Sequence, residues 1–145
     1  MIWSTESPGV HSTMASPSPD RPTDAQLAIL NVLWRIGPAT VRQVHEGLPA
    51  AARRGYTTTL KLMQIMAEKG LVERDESRRS HVYTATSGER EMKDRLVDDL
   101  VQKAFGGSAA QLALRALSHR PASPSELDAI RKLLDDIEAK PEESR

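Results

Sequence analysis

The sequence predicts a mainly α-helical protein with a small three-helix domain, a β-hairpin and a further helical domain. Six segments carry apolar residues at helical spacing, three before and three after a pair of short alternating segments. Residues 56–83 contain the third helical segment, both alternating segments and a basic turn between them. Three helices followed by a two-stranded wing make a winged helix-turn-helix, which points to DNA as the partner.

The first helix is predicted over residues 24–36. Its apolar residues fall on one broad side, and Gly37-Pro38 ends the pattern. That side is expected to face the core of the first domain. It contains Leu27, Leu30, Val32, Leu33, Trp34 and Ile36.

A second, short helix is predicted after Thr40. Thr40 and Gln43 have the spacing of a capping box, in which each side chain accepts the other residue's backbone N–H. The sequence Gly47-Leu48-Pro49 closes this helix. The residues expected to point inward are Val41, Val44 and Leu48.

The third helix is predicted between Thr57 and Gly70. Its apolar stripe lies opposite a polar face, and Gly70 stands where a left-handed C-cap residue is needed. Thr57 or Thr58 is expected to cap the first turn through its hydroxyl. The stripe consists of Thr59, Leu62, Met63 and Met66, and the polar face of Thr57, Lys61, Gln64 and Glu68.

The wing is predicted from two strands, residues 71–74 and 80–85, with residues 75–79 as their connection. Arg78, Arg79 and His81 cluster at its tip. Taken alone, the third helix could have a polar face that is only solvated, as most surface helices do. The two preceding helices favour the DNA-reading interpretation because they complete the domain.

Three amphipathic helices are predicted after residue 86. The first covers residues 87–104, the second follows a Ser108–Gln111 capping box, and the third follows a Ser123–Glu126 box with Pro124 at its first position. Their apolar stripes either pack against the first domain or interlock with a second copy across a two-fold axis, and we favour the dimer. The residues expected at the dimer interface are Leu96, Leu100, Leu112, Leu127, Ile130, Leu134 and Ile137.

Composition restricts the function further. Since 39% of the residues are hydrophobic and 3% aromatic, we expect small aliphatic cores and no large enzyme core. The net charge is zero, but residues 21–86 contain ten Lys or Arg against six Asp or Glu, an excess of four positive charges on the half predicted to bind DNA. Because the chain has no Cys, disulfides, zinc-thiolate sites and thiol redox sensing are excluded.

The chain is expected to divide into a disordered leader, two domains and a short tail. The leader is rich in Ser and Pro and lacks the pattern of a secretion signal, and Met14 offers an alternative start of translation. Since no apolar run approaches the length of a membrane span, we expect a cytoplasmic protein. The predicted bounds are 1–22 for the leader, 23–86 for the winged-helix domain, 87–140 for the dimerisation domain and 141–145 for the tail.

The sequence contains no recognisable catalytic or metal-binding pattern. None of the four histidines lies three or four residues from another, and His81 is better explained as a wing residue near phosphate. Glu73, Asp75 and Glu76 are better explained as a solvated hairpin edge than as an acidic catalytic cluster. We therefore expect neither an enzyme nor a bound metal or other cofactor.

These residues resemble the penicillinase-repressor family, which contains β-lactamase, methicillin-resistance and copper-homeostasis repressors. The resemblance covers residues 22–137. It rests on the order of the helices, on LNVLW at residues 30–34, on AEKGLV at residues 67–72 and on Val82-Tyr83 in the wing. It implies a homodimeric winged-helix repressor that binds a dyad-symmetric operator, with the third helix in the major groove and the wing along the backbone.

The resemblance also implies which residues contact DNA. Lys61 and Gln64 would reach base edges, and Thr57 and Thr58 would bond phosphate oxygens. Ile65 stands where the family often has a basic residue, which implies a different operator. Further contacts, chiefly to phosphates, are expected from Thr40, Arg42, Arg53, Arg54, Arg78, Arg79 and His81.

Many members of the family are inactivated by proteolysis after a membrane-bound metalloprotease senses antibiotic. The usual Asn-Phe site aligns with Arg115-Ala116 and is not reproduced here, so cleavage at this position stays open. Copper-responsive members use C-terminal cysteine pairs, which this chain lacks. The alternative to a repressor is a winged-helix protein-interaction module without specific DNA binding, whose C-terminal helices dock a different subunit.

Overall fold

The computed structural model describes residues 21–140, which form six α-helices and a two-stranded antiparallel sheet. The helices are α1 (Asp24–Ile36), α2 (Val41–Gly47), α3 (Tyr56–Lys69), α4 (Glu89–Ala104), α5 (Ala109–His119) and α6 (Pro124–Ala139), and the strands are β1 (Val72–Asp75) and β2 (Val82–Ala85). A 3-10 turn, Ala50–Ala52, lies between α2 and α3. The predicted fold class is confirmed. Nearly all of the predicted leader and all of the predicted tail lie outside the described residues.

Capping boxes start the first two helices. Thr40 Oγ1 accepts the Gln43 N–H at 3.2 Å, and Gln43 Oε1 accepts the Thr40 N–H at 2.9 Å, as predicted. Thr23 and Gln26 form the same pair of bonds at the start of α1. Both helices therefore begin at residues fixed by local side-chain bonds.

The start of α3 differs from the prediction. The helix begins at Tyr56, and its N-cap residue is Gly55, which has no side chain to accept an amide. The predicted capping by Thr57 or Thr58 is wrong, because both threonines already lie inside the first turn. The end agrees with the prediction, since Gly70 has a φ of 83° and closes the helix in the left-handed conformation.

The core of the first domain is built from one face of each of the three helices and from the sheet. In α3 the buried residues are Thr59, Met63 and Met66, as predicted. Ile36 was expected to face the core, but it is the last residue of α1 and is 46% exposed. The main core residues are Ile29, Leu30, Val32, Leu33, Ala39, Val41, Val44, Leu48, Met63, Met66, Leu71, Val72, Tyr83 and Met92.

The wing pairs β1 with β2 in a register that runs from Val72 opposite Ala85 to Asp75 opposite Val82. An antiparallel β-bridge between Ala39 and Tyr83, which the sequence did not predict, joins the wing to the segment before α2. The Ala39 N–H donates to the Tyr83 carbonyl at 3.0 Å, and the Tyr83 N–H donates to the Ala39 carbonyl at 2.8 Å. The wing is thus bonded to the helix-turn-helix through the backbone.

The chain divides into two compact units between Leu96 and Val97, inside α4. The first half of α4 belongs with the winged helix because Met92 is buried in its core and Leu96 packs against it. Within the first unit, Trp34 also bonds to the segment just before α4, where its Nε1–H donates to the Ser87 carbonyl at 3.0 Å. The division falls later in the chain than the boundary expected after residue 86.

The second unit contains the end of α4 with α5 and α6. The predicted capping box at α6 forms, since Ser123 Oγ accepts the Glu126 N–H at 3.1 Å and Glu126 Oε1 accepts the Ser123 N–H at 2.8 Å. At α5, Ser108 accepts the Gln111 N–H at 3.1 Å, which is one of the two bonds in the box expected there. None of the helices between residues 21 and 140 is long and apolar enough to span a bilayer.

Candidate nucleic-acid interface

A concave surface lies between the start of α2, one side of α3 and the wing, and we refer to it as the reading groove. Five of the predicted contact residues line it, although they are spread over more than forty positions of the sequence. The fold therefore gathers them on one surface. The lining residues are Thr40, Val41, Arg42, Tyr56, Leu60, Gln64, Arg74, Arg79, Ser80, His81 and Tyr83.

The solvent face of α3 forms one wall of this region. Thr57, Thr58, Lys61 and Gln64 are all exposed on it, while the opposite face of the helix is buried in the core. The predicted division of α3 into an apolar and a polar side is confirmed. The side chains expected to reach bases and phosphates are therefore free of the domain's own packing.

The first turn of α3 is suited to an anion. The first amides of an α-helix have no partner within the helix, and they carry the positive end of its dipole. Because the N-cap residue is Gly55, no capping side chain covers them, and among these amides the Thr58 N–H donates to the Gly55 carbonyl at 3.0 Å. A DNA phosphate can approach this end of the helix closely.

The two arginines before α3 also have a structural role that the sequence did not predict. Arg53 Nη2 donates to the carbonyls of Glu46 and Leu48, at 3.1 and 2.8 Å, and Arg54 Nη1 donates to the Ala51 carbonyl at 3.3 Å. Both side chains thus support the connection between α2 and α3. Neither lines the reading groove, and Arg54 instead lines a separate depression beside Asp24 and Thr59.

The wing places Arg78 and Arg79 in its exposed loop, with His81 just before β2. Arg74 is a groove residue that the sequence analysis did not select. It lies opposite Tyr83 in the sheet, and hydrogen bonding to Tyr83 and the nearby Glu76 carboxylate raise the pKa of the Arg74 guanidinium. Arg74 lies two residues after Val72 on β1, so the two side chains share one face of the sheet, and this spacing could have identified the face on which Arg74 lies.

An acidic residue shapes the tip of the wing. Asp75 Oδ1 accepts the Ser77 N–H at 2.9 Å, and bonding to Ser77 lowers the pKa of the Asp75 carboxyl. This bond between residues two apart is an Asx-type turn, which turns the chain toward Arg78 and Arg79. Asp75 therefore has a structural role in the wing. Within residues 21–140, no three His, Asp or Glu side chains are grouped so that they could hold a metal ion.

Much of the apolar surface of α5 and α6 is solvent-exposed. Leu114 is 62% exposed and Leu134 51%, although a side chain of this type normally lies in a core. The residues predicted at a dimer interface range from half-buried to exposed. Leu96, Leu112 and Ile130 are half-buried, and Leu100, Leu127, Leu134 and Ile137 are exposed.

The predicted cleavage position lies within regular helix. Arg115 and Ala116 are exposed in the middle of α5. The Arg115 carbonyl contacts His119 Nδ1 at 2.9 Å, and the Ala116 carbonyl accepts the Arg120 N–H at 3.1 Å. A protease would have to unwind this turn before it could bind the chain in an extended form.

Residues 22–136 match the family model described as penicillinase repressor. The chain belongs to the penicillinase repressor family. The transcriptional regulator BlaI of Mycobacterium tuberculosis, from strains CDC 1551 and H37Rv, is 36% identical over 117 residues, which are 80% of this chain and 84% of the relative. This member of the penicillinase repressor family is accordingly a DNA-binding transcriptional repressor.

Two solved structures are also similar to this family member. One is Bordetella bronchiseptica BpsR, described as regulated in DNA binding by 6-hydroxynicotinic acid. It has a TM-score of 0.43 and 21% identity, with 85% of this chain and 83% of that chain covered. The other is a MarR family transcriptional regulator from Silicibacter pomeroyi, with a TM-score of 0.42 and 20% identity, covering 94% of this chain and 78% of that one.

Proposed function

We propose that this repressor binds a dyad-symmetric DNA operator as a homodimer, with α3 in the major groove of each half-site and the wing along the adjacent backbone. The observation that carries the proposal is the reading groove, in which Thr40, Arg42, Gln64, Arg79 and His81 meet beside the exposed face of α3. Polar and basic groups from three separate elements face one surface, as a double helix requires.

The contacts divide between bases and phosphates. Lys61 and Gln64 lie on the exposed side of α3 and have the reach to bond base edges in the major groove. Thr57 and Thr58 lie in the first turn, where a hydroxyl and a backbone amide can share one phosphate. Phosphates along the groove walls and the wing would be contacted by Thr40, Arg42, Arg78, Arg79 and His81. Arg53 and Arg54, which lie outside the groove in the connection before α3, would contact phosphates beside it.

A dimer accounts for both the charge and the exposed apolar surface. One winged-helix half has an excess of four positive charges, which is small for tight binding, and two copies double it. The exposed leucines of α5 and α6 would be buried against a second copy, with Leu96, Leu100, Leu112, Leu127, Ile130, Leu134 and Ile137 at the interface.

DNA binding is tested by charge reversal. We expect the wild-type protein to bind a fragment of its own upstream promoter region in fluorescence anisotropy, with an affinity that falls steeply as salt rises. The Lys61→Glu, Arg78→Glu double variant should lose this binding. The matched control is Arg120→Glu with Lys132→Glu, which changes the net charge equally in the second unit. Wild-type binding that is undetectable or insensitive to salt would refute the proposal.

Dimerisation is tested separately by analytical ultracentrifugation. Leu134 is 51% exposed, so an aspartate there is tolerated by a single copy but is costly in an apolar interface. We expect Leu134→Asp to sediment as a monomer with unchanged helicity by circular dichroism, and to bind a single half-site only weakly. A variant that stays dimeric would exclude Leu134 from the interface.

The exposed apolar surface of α5 and α6 also favours a second candidate function beside DNA binding, the docking of a different subunit on the C-terminal helices. The same charge-reversal variant separates the two functions. If the chain binds a different subunit through its C-terminal helices, the Lys61→Glu, Arg78→Glu variant should keep that complex. Both functions act through binding rather than through catalysis.

Release of the operator by proteolysis in α5 is the regulatory part of the proposal. The exposed position of Arg115 and Ala116 allows access by a protease in the cytoplasm, the compartment that we propose for this repressor, once one helical turn has unwound. A membrane metalloprotease sensor encoded beside this gene would be the first candidate for the pathway. Mass spectrometry of the repressor after exposure of cells to a β-lactam tests it, and an intact chain under inducing conditions would exclude cleavage.

A further inference from the structure

Four side chains from α2 and α3 form a continuous series that we call the interhelix stack: Arg42, His45, Tyr56 and Thr59. Arg42 and His45 are three residues apart on α2, and Tyr56 and Thr59 are three apart on α3, so each pair shares one helix face. The Arg42 Cζ atom lies 5.2 Å from the centroid of the Tyr56 ring. The His45 ring meets the Tyr56 ring edge-on, with centroids 5.7 Å apart and planes at 80°.

The inner end of the stack is fixed in the core. Thr59 is 2% exposed, and its Oγ1 lies 2.9 Å from His45 Nδ1. That hydrogen bond orients the imidazole, and the T-shaped contact with the imidazole orients the Tyr56 ring. Tyr56 itself is 40% exposed, and the Arg42 guanidinium lies over its ring at the surface.

The outer end of the stack carries a cation that lines the reading groove. An arginine side chain has many rotamers, and ordering it on a phosphate costs conformational entropy. A guanidinium that already rests on an aromatic face has lost part of that freedom before DNA arrives. The stack connects a buried residue of α3 to the position of a positive charge on α2.

We infer that Tyr56 is a positioning residue for DNA binding, which holds the Arg42 guanidinium ready for a phosphate while His45 and Thr59 hold the Tyr56 ring. The inference rests on the proposed DNA-binding function. In it, the ring face of Tyr56 matters and its hydroxyl does not. The charge that meets the phosphate belongs to Arg42.

The test compares salt dependence among variants of the full chain on one promoter fragment. Arg42→Ala removes a phosphate contact, and the slope of log affinity against log salt should become shallower by about one for each half-site. Tyr56→Ala removes no charge, yet we expect a several-fold loss of affinity and at least half of the same change in slope. Tyr56→Phe keeps the ring face and should retain both the affinity and the slope.

A double variant provides the second readout. If Tyr56 acts through Arg42, then Arg42→Ala with Tyr56→Ala binds within about twofold of Arg42→Ala alone, because the coupled residue is already gone. Tyr56→Leu keeps an apolar side chain without a π face, and it replaces Tyr56→Ala if that variant does not fold by circular dichroism.

Three results would overturn the inference. Loss of affinity in Tyr56→Phe equal to that in Tyr56→Ala would show that the hydroxyl contacts DNA directly. A weaker Tyr56→Ala or Tyr56→Leu variant with an unchanged slope, or losses that add in the double variant, would show that Tyr56 does not act through Arg42. Failure of the wild type to bind DNA is a different result, because it refutes the proposed function itself.

Discussion

Replacing Gly70 by alanine should destabilise the first domain through the backbone alone. Gly70 has a φ of 83°, and within the described structure no atom outside its immediate neighbours lies within 4 Å of the position that a Cβ would take. The substitution therefore introduces no clash. A left-handed conformation costs an L-residue about 1–2 kcal/mol, and the stiffer unfolded chain returns about 0.4–1 kcal/mol. The expected net loss is about 1 kcal/mol.

The loss can be measured by urea unfolding followed by circular dichroism at equal protein concentrations. For a domain of this size, a loss of about 1 kcal/mol lowers the melting temperature by about 4–8 °C. Gly70→Asn is the matched control, because asparagine adopts the left-handed conformation more readily and should lose clearly less. A Gly70→Ala variant as stable as wild type, or an asparagine variant less stable than the alanine one, would refute the reasoning.

Three further predictions concern packing, a buried contact and pH. Met66→Ala, at a fully buried position of α3, should lower the free energy of unfolding by about 2–5 kcal/mol in urea titrations. Trp34→Phe removes the bond from Nε1 to the Ser87 carbonyl and should cost about 1 kcal/mol, with faster exchange of amide hydrogens at the start of α4. Bonding to the Ser123 N–H and hydroxyl lowers the pKa of Glu126 below its ordinary 4.5. The stability that the ionised carboxylate contributes is therefore complete above that pH, and it is lost as pH falls through the folded-state pKa. Urea midpoints between about pH 7 and about pH 3 should therefore fall more for wild type than for Glu126→Gln, and equal falls would contradict the assignment.

The helices could be predicted because their ends depend on residues close in sequence. The capping boxes that start at Thr40 and Ser123 each involve residues three apart. The end of α3 depends only on the ability of Gly70 to adopt the left-handed conformation. The failures have local causes too. The threonines of α3 were expected to cap a helix that already starts at Tyr56, and the apolar pattern assigned Ile36 to a core that ends before it.

The candidate site was predictable as a set of faces but not as a set of contacts. Helical periodicity placed Lys61 and Gln64 on the exposed side of α3. The interhelix stack depends on the angle at which α2 crosses α3. Helical periodicity carries no information on that angle, so the sequence analysis did not select Tyr56. The support that Arg53 gives to the end of α2 was missed for a different reason, because its acceptors are main-chain carbonyls, which leave no pattern in the sequence.

The backbone bonds between Ala39 and Tyr83 have a mechanical consequence for recognition. They join the wing to the residue just before Thr40, so we expect a displacement of the wing to shift the start of α2, where Arg42 lies. The position of the DNA backbone varies with the sequence-dependent shape of the double helix, so a wing that lies along the backbone, as proposed, would shift with that shape. The shape of the flanking DNA and the bases under α3 are then sensed jointly, so an operator should be selected by both together rather than by independent contributions.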